Sequence, residues 1–225
     1  MKIRFSFLFI LLSMSVLSQT INTQPVRAGG LSIKVYGGIS PLLSDKVEVR
    51  IPSLFTNFDY EDDPGYNVGV NIGYFLTNNI ALQVGFEKKE NRIFLTNFPG
   101  PQGFSGRSKT NLNSNILYIS SNYHFMSESK FDPYFGVGAA LIQDANYEFF
   151  DLDYNGSGEI GLRGLVGVNY NFNSKFALNF EMNYTAFNDI EVEDRAATPI
   201  FDIEYNPLTF NLGFVYTLNL FKGNK

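Results

Sequence analysis

GEIGLRGLVGVNYNFNSKFALNFEMNYTAF, residues 158–187, contains two runs in which apolar and polar side chains alternate, separated by a short polar turn at 173–175. In the first run, one face carries Ile160, Leu162, Val166, Val168, Tyr170 and Phe172, and the other carries Glu159, Gly161, Arg163, Gly167, Asn169 and Asn171. The second run sets Phe176, Leu178, Phe180, Met182 and Tyr184 against Ala177, Asn179, Glu181, Asn183 and Thr185. A period of two sustained over runs of this length predicts two antiparallel strands, each with one apolar and one polar face.

The same alternation recurs along the chain and predicts six further strands. They span about 31–40, 65–76, from 80 onward, 111–125, 132–143 and 206–221. Short turns such as 77–79 alternate with long polar segments at 41–64, 91–110, 144–157 and 188–205. Short turns on one side and long loops on the other are typical of transmembrane barrels, whose strands cross the bilayer in about 9–11 residues. The sequence therefore predicts an all-β fold, an eight-stranded antiparallel up-and-down transmembrane β-barrel.

The N-terminus has the three regions of a secretory signal peptide. Lys2 and Arg4 precede an apolar run at 5–17, and Ser18 follows it. The run is shorter than the roughly 20 apolar residues that a membrane-spanning helix needs. We therefore expect a signal peptide at 1–18, a periplasmic leader at 19–30, the barrel at 31–221 and a C-terminal tail at 222–225.

Composition excludes several classes of function. The chain has no cysteine, which excludes disulfides, a lipid-modified cysteine, thiol catalysis and zinc–thiolate sites. Its formal net charge is −5, and removal of Lys2 and Arg4 with the signal peptide lowers it by two, to −7. Because nucleic-acid binding depends on basic residues that neutralise phosphates, we expect no nucleic-acid partner. We also expect no cofactor.

Alternation alone does not say which face is outside, since a soluble lipocalin-like barrel is apolar inside and polar outside. Small residues favour a polar lumen, because a narrow eight-stranded barrel has little room for side chains. The polar face carries Gly69, Gly73, Gly85, Gly136, Gly138, Gly161, Gly167 and Gly213.

Aromatic residues gather near the short turns, at Tyr74, Tyr123, Phe125, Tyr170, Phe172, Phe176 and Tyr216. They are typical of the girdle at a membrane interface, so the apolar face is predicted to contact lipid.

Three stretches carry a family resemblance: DPYFGVGA from Asp132, GVNYNFNSKFALNFEMNY from Gly167 and NPLTFNLGFVY from Asn206. They resemble strands of OmpW-type and related small outer-membrane barrels. The resemblance implies an eight-stranded, porin-like barrel in the outer membrane of a Gram-negative-type bacterium. It also implies the passage of small hydrophobic compounds that is proposed for OmpW relatives.

The predicted inner face carries four charged residues, Lys34, Glu87, Arg163 and Glu181. Charges in a narrow lumen are costly unless they are paired. We expect an ionic network, with Arg163 and Glu181 close together across the 158–187 hairpin. Such a network either blocks or gates the barrel as a plug, or only fills the lumen as a structural element.

The loop before the hairpin contains Asp151, Asp153 and Asn155, oxygen-bearing residues at alternate positions, followed by Gly156. This spacing is typical of the start of a calcium-binding loop, although Leu162 stands where the bidentate Glu should be. A calcium site and an ordinary acidic hairpin loop are both compatible with the residues. Acidic residues also cluster at 59–63 and 191–194. We expect them to lie in solvated loop tips, in preference to binding divalent ions or basic partners.

His124 is the only histidine, and it is predicted on the inner face near a short turn. An enzyme acting on lipids needs a base beside a nucleophile, and Ser120 and Ser121 are near in sequence. No Asp or Glu in the same strand is placed to orient the imidazole, so we expect no catalysis at His124.

These observations predict a non-enzymatic outer-membrane barrel that acts as a small-solute conduit or as a structural envelope protein presenting extracellular loops. An alternative is a subunit of an outer-membrane secretion or assembly complex. A lipid-modifying barrel enzyme and a soluble lipocalin-like binder are disfavoured. The expected partners are outer-membrane lipid, lipopolysaccharide and envelope proteins.

Overall fold

The computed structural model describes residues 27–41, 47–49, 59–99, 105–149, 152–156, 158–187, 189–193 and 199–219. The predicted signal peptide, most of the leader and the tail lie outside these residues. The strands are β1 (Gly30–Ser40), β2 (Val47–Val49), β3 (Asp59–Phe75), β4 (Ile80–Pro99), β5 (Ser105–His124), β6 (Phe131–Phe149), β7 (Leu152–Gly156), β8 (Ile160–Asn171), β9 (Phe176–Ala186), β10 (Asp189–Glu193), β11 (Pro199–Glu204) and β12 (Leu208–Asn219). Within the described ranges, no helix has the length and apolarity to cross a membrane.

Eight of these strands close into a barrel. Antiparallel pairing runs around the wall in the order β1, β3, β4, β5, β6, β8, β9 and β12. Strand β12 returns to β1, with Gly30 opposite Asn219 and Ile39 opposite Phe210. A closed wall pairs its backbone groups strand to strand, which is the condition for a sheet to cross a membrane. The predicted fold class is confirmed.

The segments predicted as long loops contain much strand, which corrects the expected boundaries. Strands β4 and β5 stay paired as far as Pro99 and Ser105, and β3 already begins at Asp59. Strands β7, β10, β11 and β2 extend the sheet outward from β6. Apolar alternation is needed only where one face meets lipid, whereas backbone pairing continues without it. The sequence pattern therefore identifies the membrane part of each strand and misses its extension.

Burial divides the membrane strands into the two predicted faces. The polar parity points inward and is buried: Lys34 is 3% exposed and Asn67 is 1% exposed. The apolar parity points outward, and its exposure reaches 76% at Leu162. A soluble barrel has the opposite arrangement. The outer face is therefore the lipid-contacting surface.

Three tyrosines in the lumen account for three of the inner glycines. Each is paired directly with a glycine of the neighbouring strand, Tyr36 with Gly69, Tyr118 with Gly85 and Tyr134 with Gly167. A Cβ at Gly85 would lie 2.3 Å from Cζ of Tyr118, and the other two glycines are equally crowded, at 2.4 and 2.5 Å. Each ring thus lies across a glycine and fills the space that a side chain would take. This is the physical basis of the glycine pattern in a narrow lumen.

Aromatic residues surround the barrel at the end with the short turns. Tyr123, Phe125 and Phe135 form one cluster, with ring centroids 5.3–5.9 Å apart. Phe176 and Tyr216 form another contact, at 5.0 Å. These rings form the predicted girdle, and they mark the periplasmic boundary of the apolar band because the short turns lie on that side.

Candidate functional site in the barrel lumen

Charged side chains from four strands meet inside the lumen. Lys34 Nζ on β1 lies 2.5 Å from Glu181 Oε2 on β9, and Tyr134 donates a hydrogen bond to the same oxygen at 2.7 Å. Arg163 Nη2 on β8 lies 3.2 Å from Glu87 Oε2 on β4 and 3.9 Å from Glu181 Oε1. The four residues expected from the sequence are therefore together, and Arg163 and Glu181 approach each other across the hairpin.

Lys89 completes this group, although the sequence reasoning missed it. Its Nζ lies 3.1 Å from Glu87 Oε1 and donates a hydrogen bond to Thr209 Oγ1 at 2.8 Å. Lys89 has the same parity as Glu87, whereas its neighbour Lys88 is exposed on the outer face. Continued alternation beyond Phe86 is the signal that could have found it. We call Lys34, Glu87, Lys89, Arg163 and Glu181 the charged network.

Tyrosines connect the charged network to the barrel wall. Tyr36 donates a hydrogen bond from its hydroxyl to Glu87 Oε2 at 3.2 Å, and its oxygen lies 3.1 Å from the hydroxyl of Tyr118. The guanidinium of Arg163 lies over the Tyr118 ring, 4.2 Å from the ring centroid. Buried ion pairs are stable only when hydrogen bonds also satisfy their remaining atoms, and these tyrosines supply part of that requirement.

A second layer of buried residues closes the lumen toward the long-loop side. Tyr205 is fully buried; its hydroxyl lies 2.9 Å from Ser114 Oγ and donates to Asn91 Oδ1 at 3.3 Å. Its ring stacks on Phe187, with centroids 5.7 Å apart. Ile116, the next inward residue of β5 after Ser114, is also fully buried. Tyr205, which precedes β12, therefore lies in the lumen and contacts β5.

A third layer lies at the short-turn end and is formed around Arg27. Arg27 Nη1 lies 2.5 Å from Asp132 Oδ2, and Nη2 donates to Asn171 Oδ1 at 3.1 Å. The guanidinium lies 5.5 Å from the ring centroid of Phe75. The backbone N–H of Arg27 donates to Asn78 Oδ1 at 3.1 Å. The last part of the predicted leader is therefore attached to the periplasmic mouth.

His124 has a carboxylate partner from the neighbouring strand, whereas its own strand contains no Asp or Glu. Its Nδ1 lies 2.7 Å from Asp132 Oδ2. Asp132 comes from β6, where Tyr134 is the residue paired with His124. The Nε2 atom is buried and has no hydrogen-bond partner. A base with an orienting carboxylate is present, but no hydroxyl nucleophile is hydrogen-bonded to it.

The predicted calcium ligands lie mostly beyond what the structure describes. Asp151 is outside the described residues, and Asp153 and Asn155 are described by their backbone alone. That backbone is extended in β7, with Asn155 paired to Asn146 of β6 and to Glu193 of β10. Among the described side chains, no group of three His, Cys, Asp or Glu could hold a metal ion. The calcium site stays a prediction.

A closed eight-stranded wall with an apolar outer face, a polar interior and an aromatic girdle defines a transmembrane β-barrel of the outer-membrane type. The family model described as "Outer membrane protein beta-barrel domain" matches residues 8–217. The chain therefore belongs to that family, and it is located in the outer membrane of a Gram-negative-type bacterium.

Solved structures of small outer-membrane barrels share this fold. OprG of Pseudomonas aeruginosa is 17% identical, with a TM-score of 0.62 and coverage of 88% of this chain and 99% of that chain. AlkL, solved in lipid bilayers, is 18% identical, with a TM-score of 0.59 and coverage of 92% and 98%. Neisserial surface protein A is 16% identical, with a TM-score of 0.55 and coverage of 84% and 98%. No curated protein matches the sequence. The predicted resemblance to small outer-membrane barrels is confirmed.

Proposed function

We propose that this protein is a non-enzymatic outer-membrane barrel, closed to ion flow at rest, that anchors an extracellular β-sheet to the membrane. The charged network carries this proposal. Its five side chains reach into the lumen from four strands, and none of them is more than 4% exposed. A water-filled pore would leave the charges that line it hydrated. Charges this deeply buried and paired therefore favour a plug over an open path.

The two other layers support the same conclusion. Tyr205 and Phe187 occupy the lumen on the long-loop side, and Arg27 lies across the periplasmic mouth. A solute would have to displace side chains at all three levels to pass through. Of the two functions expected from the sequence, this arrangement favours the structural envelope protein over the small-solute conduit.

The extracellular part of the proposal rests on strand length. A strand of 20 residues such as β4 is about 65 Å long, whereas the apolar band of an outer-membrane barrel is about 25 Å high. Even when it is tilted, β4 continues well beyond the membrane, and β7, β10, β11 and β2 widen the sheet there. Lipopolysaccharide and envelope proteins, the partners expected from the sequence, would meet the protein at this sheet.

The non-enzymatic part rests on the surroundings of His124. Its Nε2 atom has no hydroxyl partner, and the Asp132 oxygen that holds Nδ1 also pairs with Arg27. An imidazole in this arrangement has a structural partner on one side and no nucleophile on the other. Lipids extracted from a strain lacking the protein should match those of the parent strain, and a missing lipid modification would contradict this part.

Planar-bilayer recording tests the closed lumen. The wild-type protein should give no unitary conductance steps. A triple variant that combines Arg27→Ala, Arg163→Ala and Tyr205→Ala should conduct, because it removes one blocking side chain from each of the three layers. Lys88→Ala, on the outer face of β4, serves as the control and should behave like the wild type. Steady conductance of the wild type would refute the closed lumen and favour the conduit. A triple variant that stays closed would remove the plug role, and an Arg163→Ala protein with unchanged thermal stability would remove the structural role considered for the network.

A further inference from the structure

The charged network does not balance. It contains three cationic side chains and two carboxylates, and all five are buried inside the barrel. The charges of the periplasmic layer do not correct this, because Arg27 and Asp132 are paired with each other. An uncompensated charge in a lumen surrounded by lipid costs several kcal/mol at least, so a compensating group is expected nearby.

Arg163 is the member of the network with donor atoms that have no partner at all. Only Nη2 contacts carboxylates, whereas Nε and Nη1 are buried and have no hydrogen-bond partner. A guanidinium has five N–H donors and keeps its proton in proteins, so this charge cannot be removed by deprotonation. One face of the guanidinium is covered by the Tyr118 ring. The ring covers a face of the guanidinium and not its edge, so it does not supply an acceptor for the in-plane N–H groups of Nε and Nη1.

Another donor close to the network is also unused. Asn67 Nδ2 donates to Glu87 Oε1 at 3.2 Å and to Asn211 Oδ1 at 2.7 Å, which brings Asn211 into the surroundings of Glu87. The Nδ2 group of Asn211 is buried and has no partner. The same pair also has an unused acceptor, Asn67 Oδ1, so the need for an anion comes from Arg163, whose unused N–H groups can only donate.

We propose that a small monovalent anion, of the size and chemistry of chloride, binds in the lumen beside Arg163. It accepts hydrogen bonds from the unused N–H groups and cancels the excess charge of the network. Among the described residues, Arg163 forms ion pairs only with Glu87 and Glu181, so no further carboxylate takes this role. The site is an equilibrium binding site inside the barrel, and it does not require that ions pass through.

A halide titration of the folded protein in detergent tests the proposal. Sodium chloride or bromide would replace sodium gluconate at constant ionic strength, with thermal unfolding followed by circular dichroism. The melting temperature of the wild type should rise with the logarithm of the halide concentration once the site is filled, by about 5–10 °C at a hundredfold excess over the dissociation constant. Crystals grown with bromide should show an anomalous peak beside Arg163.

Two adjacent lysines of β4 provide matched variants. Lys89→Met removes one cation from the network and leaves two cations facing two carboxylates, so the halide-dependent shift should be lost. Lys88→Met removes an exposed outer-face charge and should keep the full shift. If Lys89→Met does not fold, the titration and the bromide peak of the wild type still decide the question.

Equal melting temperatures of the wild type in halide and gluconate would overturn the proposal. They would indicate that water accepts the unused hydrogen bonds, or that a neutral lysine removes the excess positive charge. A full halide shift in Lys89→Met would also overturn it. Both readouts are measured without a voltage and without conductance, so they are independent of the test of the closed lumen.

Discussion

Glu87 is the residue whose replacement should destabilise the barrel most clearly. Its carboxylate lies 3.1 Å from Lys89 Nζ and 3.2 Å from Arg163 Nη2, and it also accepts a hydrogen bond from Tyr36. Glu87→Gln keeps the shape of the side chain but leaves both cations without their shared partner. Removing one partner of a buried ion pair costs about 3–5 kcal/mol of stability. We expect the lower end, about 3 kcal/mol, because the amide oxygen still accepts a hydrogen bond.

The measurement is reversible urea unfolding in phospholipid vesicles, in halide-free buffer so that no added anion compensates the lost carboxylate. The chain has no tryptophan, so circular dichroism and the gel mobility of unheated samples would report folding. Glu128→Gln, in the exposed turn between β5 and β6, is the control and should change stability by about 0.5 kcal/mol or less. Adding Lys89→Met to Glu87→Gln should recover about 1–3 kcal/mol, because one of the uncompensated cations is then absent. A loss below about 1 kcal/mol in Glu87→Gln, or strict additivity in the double variant, would refute the assignment of this network as a paired, buried unit.

Two further predictions concern the glycines and the periplasmic layer. Gly85→Ala should lower the free energy of unfolding by about 1–3 kcal/mol, because the new Cβ would lie 2.3 Å from the Tyr118 ring. Gly164→Ala is the control and should be close to neutral, since nothing lies within 4 Å of its Cβ. Equal stabilities of the two variants in urea unfolding would contradict this. Arg27→Ala should release the end of the leader from Asp132. Protease added to the folded protein should then remove the N-terminus faster, as measured by mass spectrometry. An unchanged cleavage rate would show that Arg27 does not hold the leader in place.

Period-two alternation was sufficient to predict the barrel because lipid on one side and a narrow lumen on the other impose opposite requirements on successive residues. The 158–187 hairpin shows this most directly: Leu162 is 76% exposed and Arg163, the next residue, is 2% exposed. The inner glycines were predictable for the same reason. Their partners were not, because the sequence does not show that Tyr118 lies opposite Gly85 until the register of β4 and β5 is known.

The parts that sequence reasoning missed depend on pairing between strands or on strands without lipid contact. Asp132 reaches His124 only through the register of β5 and β6, so inspection of one strand could not find it. Lys89 was within reach of the alternation, but its position beside Lys88 resembles a solvated run of charge. The extensions of β4 and β5 leave the membrane, where no apolar face is required, and the pattern that identifies a strand ends before the strand does.

The pairing of the first strand with the last has a consequence for biogenesis. Lys34 on β1 meets Glu181 on β9, and Lys89 on β4 donates to Thr209 on β12, so these contacts form only after nearly the whole chain has been exported. Until then the chain carries open strand edges and unpaired charges that a bilayer does not accept. Membrane insertion and closure must therefore occur late and together. A chain truncated before Leu208 should fail to assemble at all, and proteolysis in the periplasm should remove it.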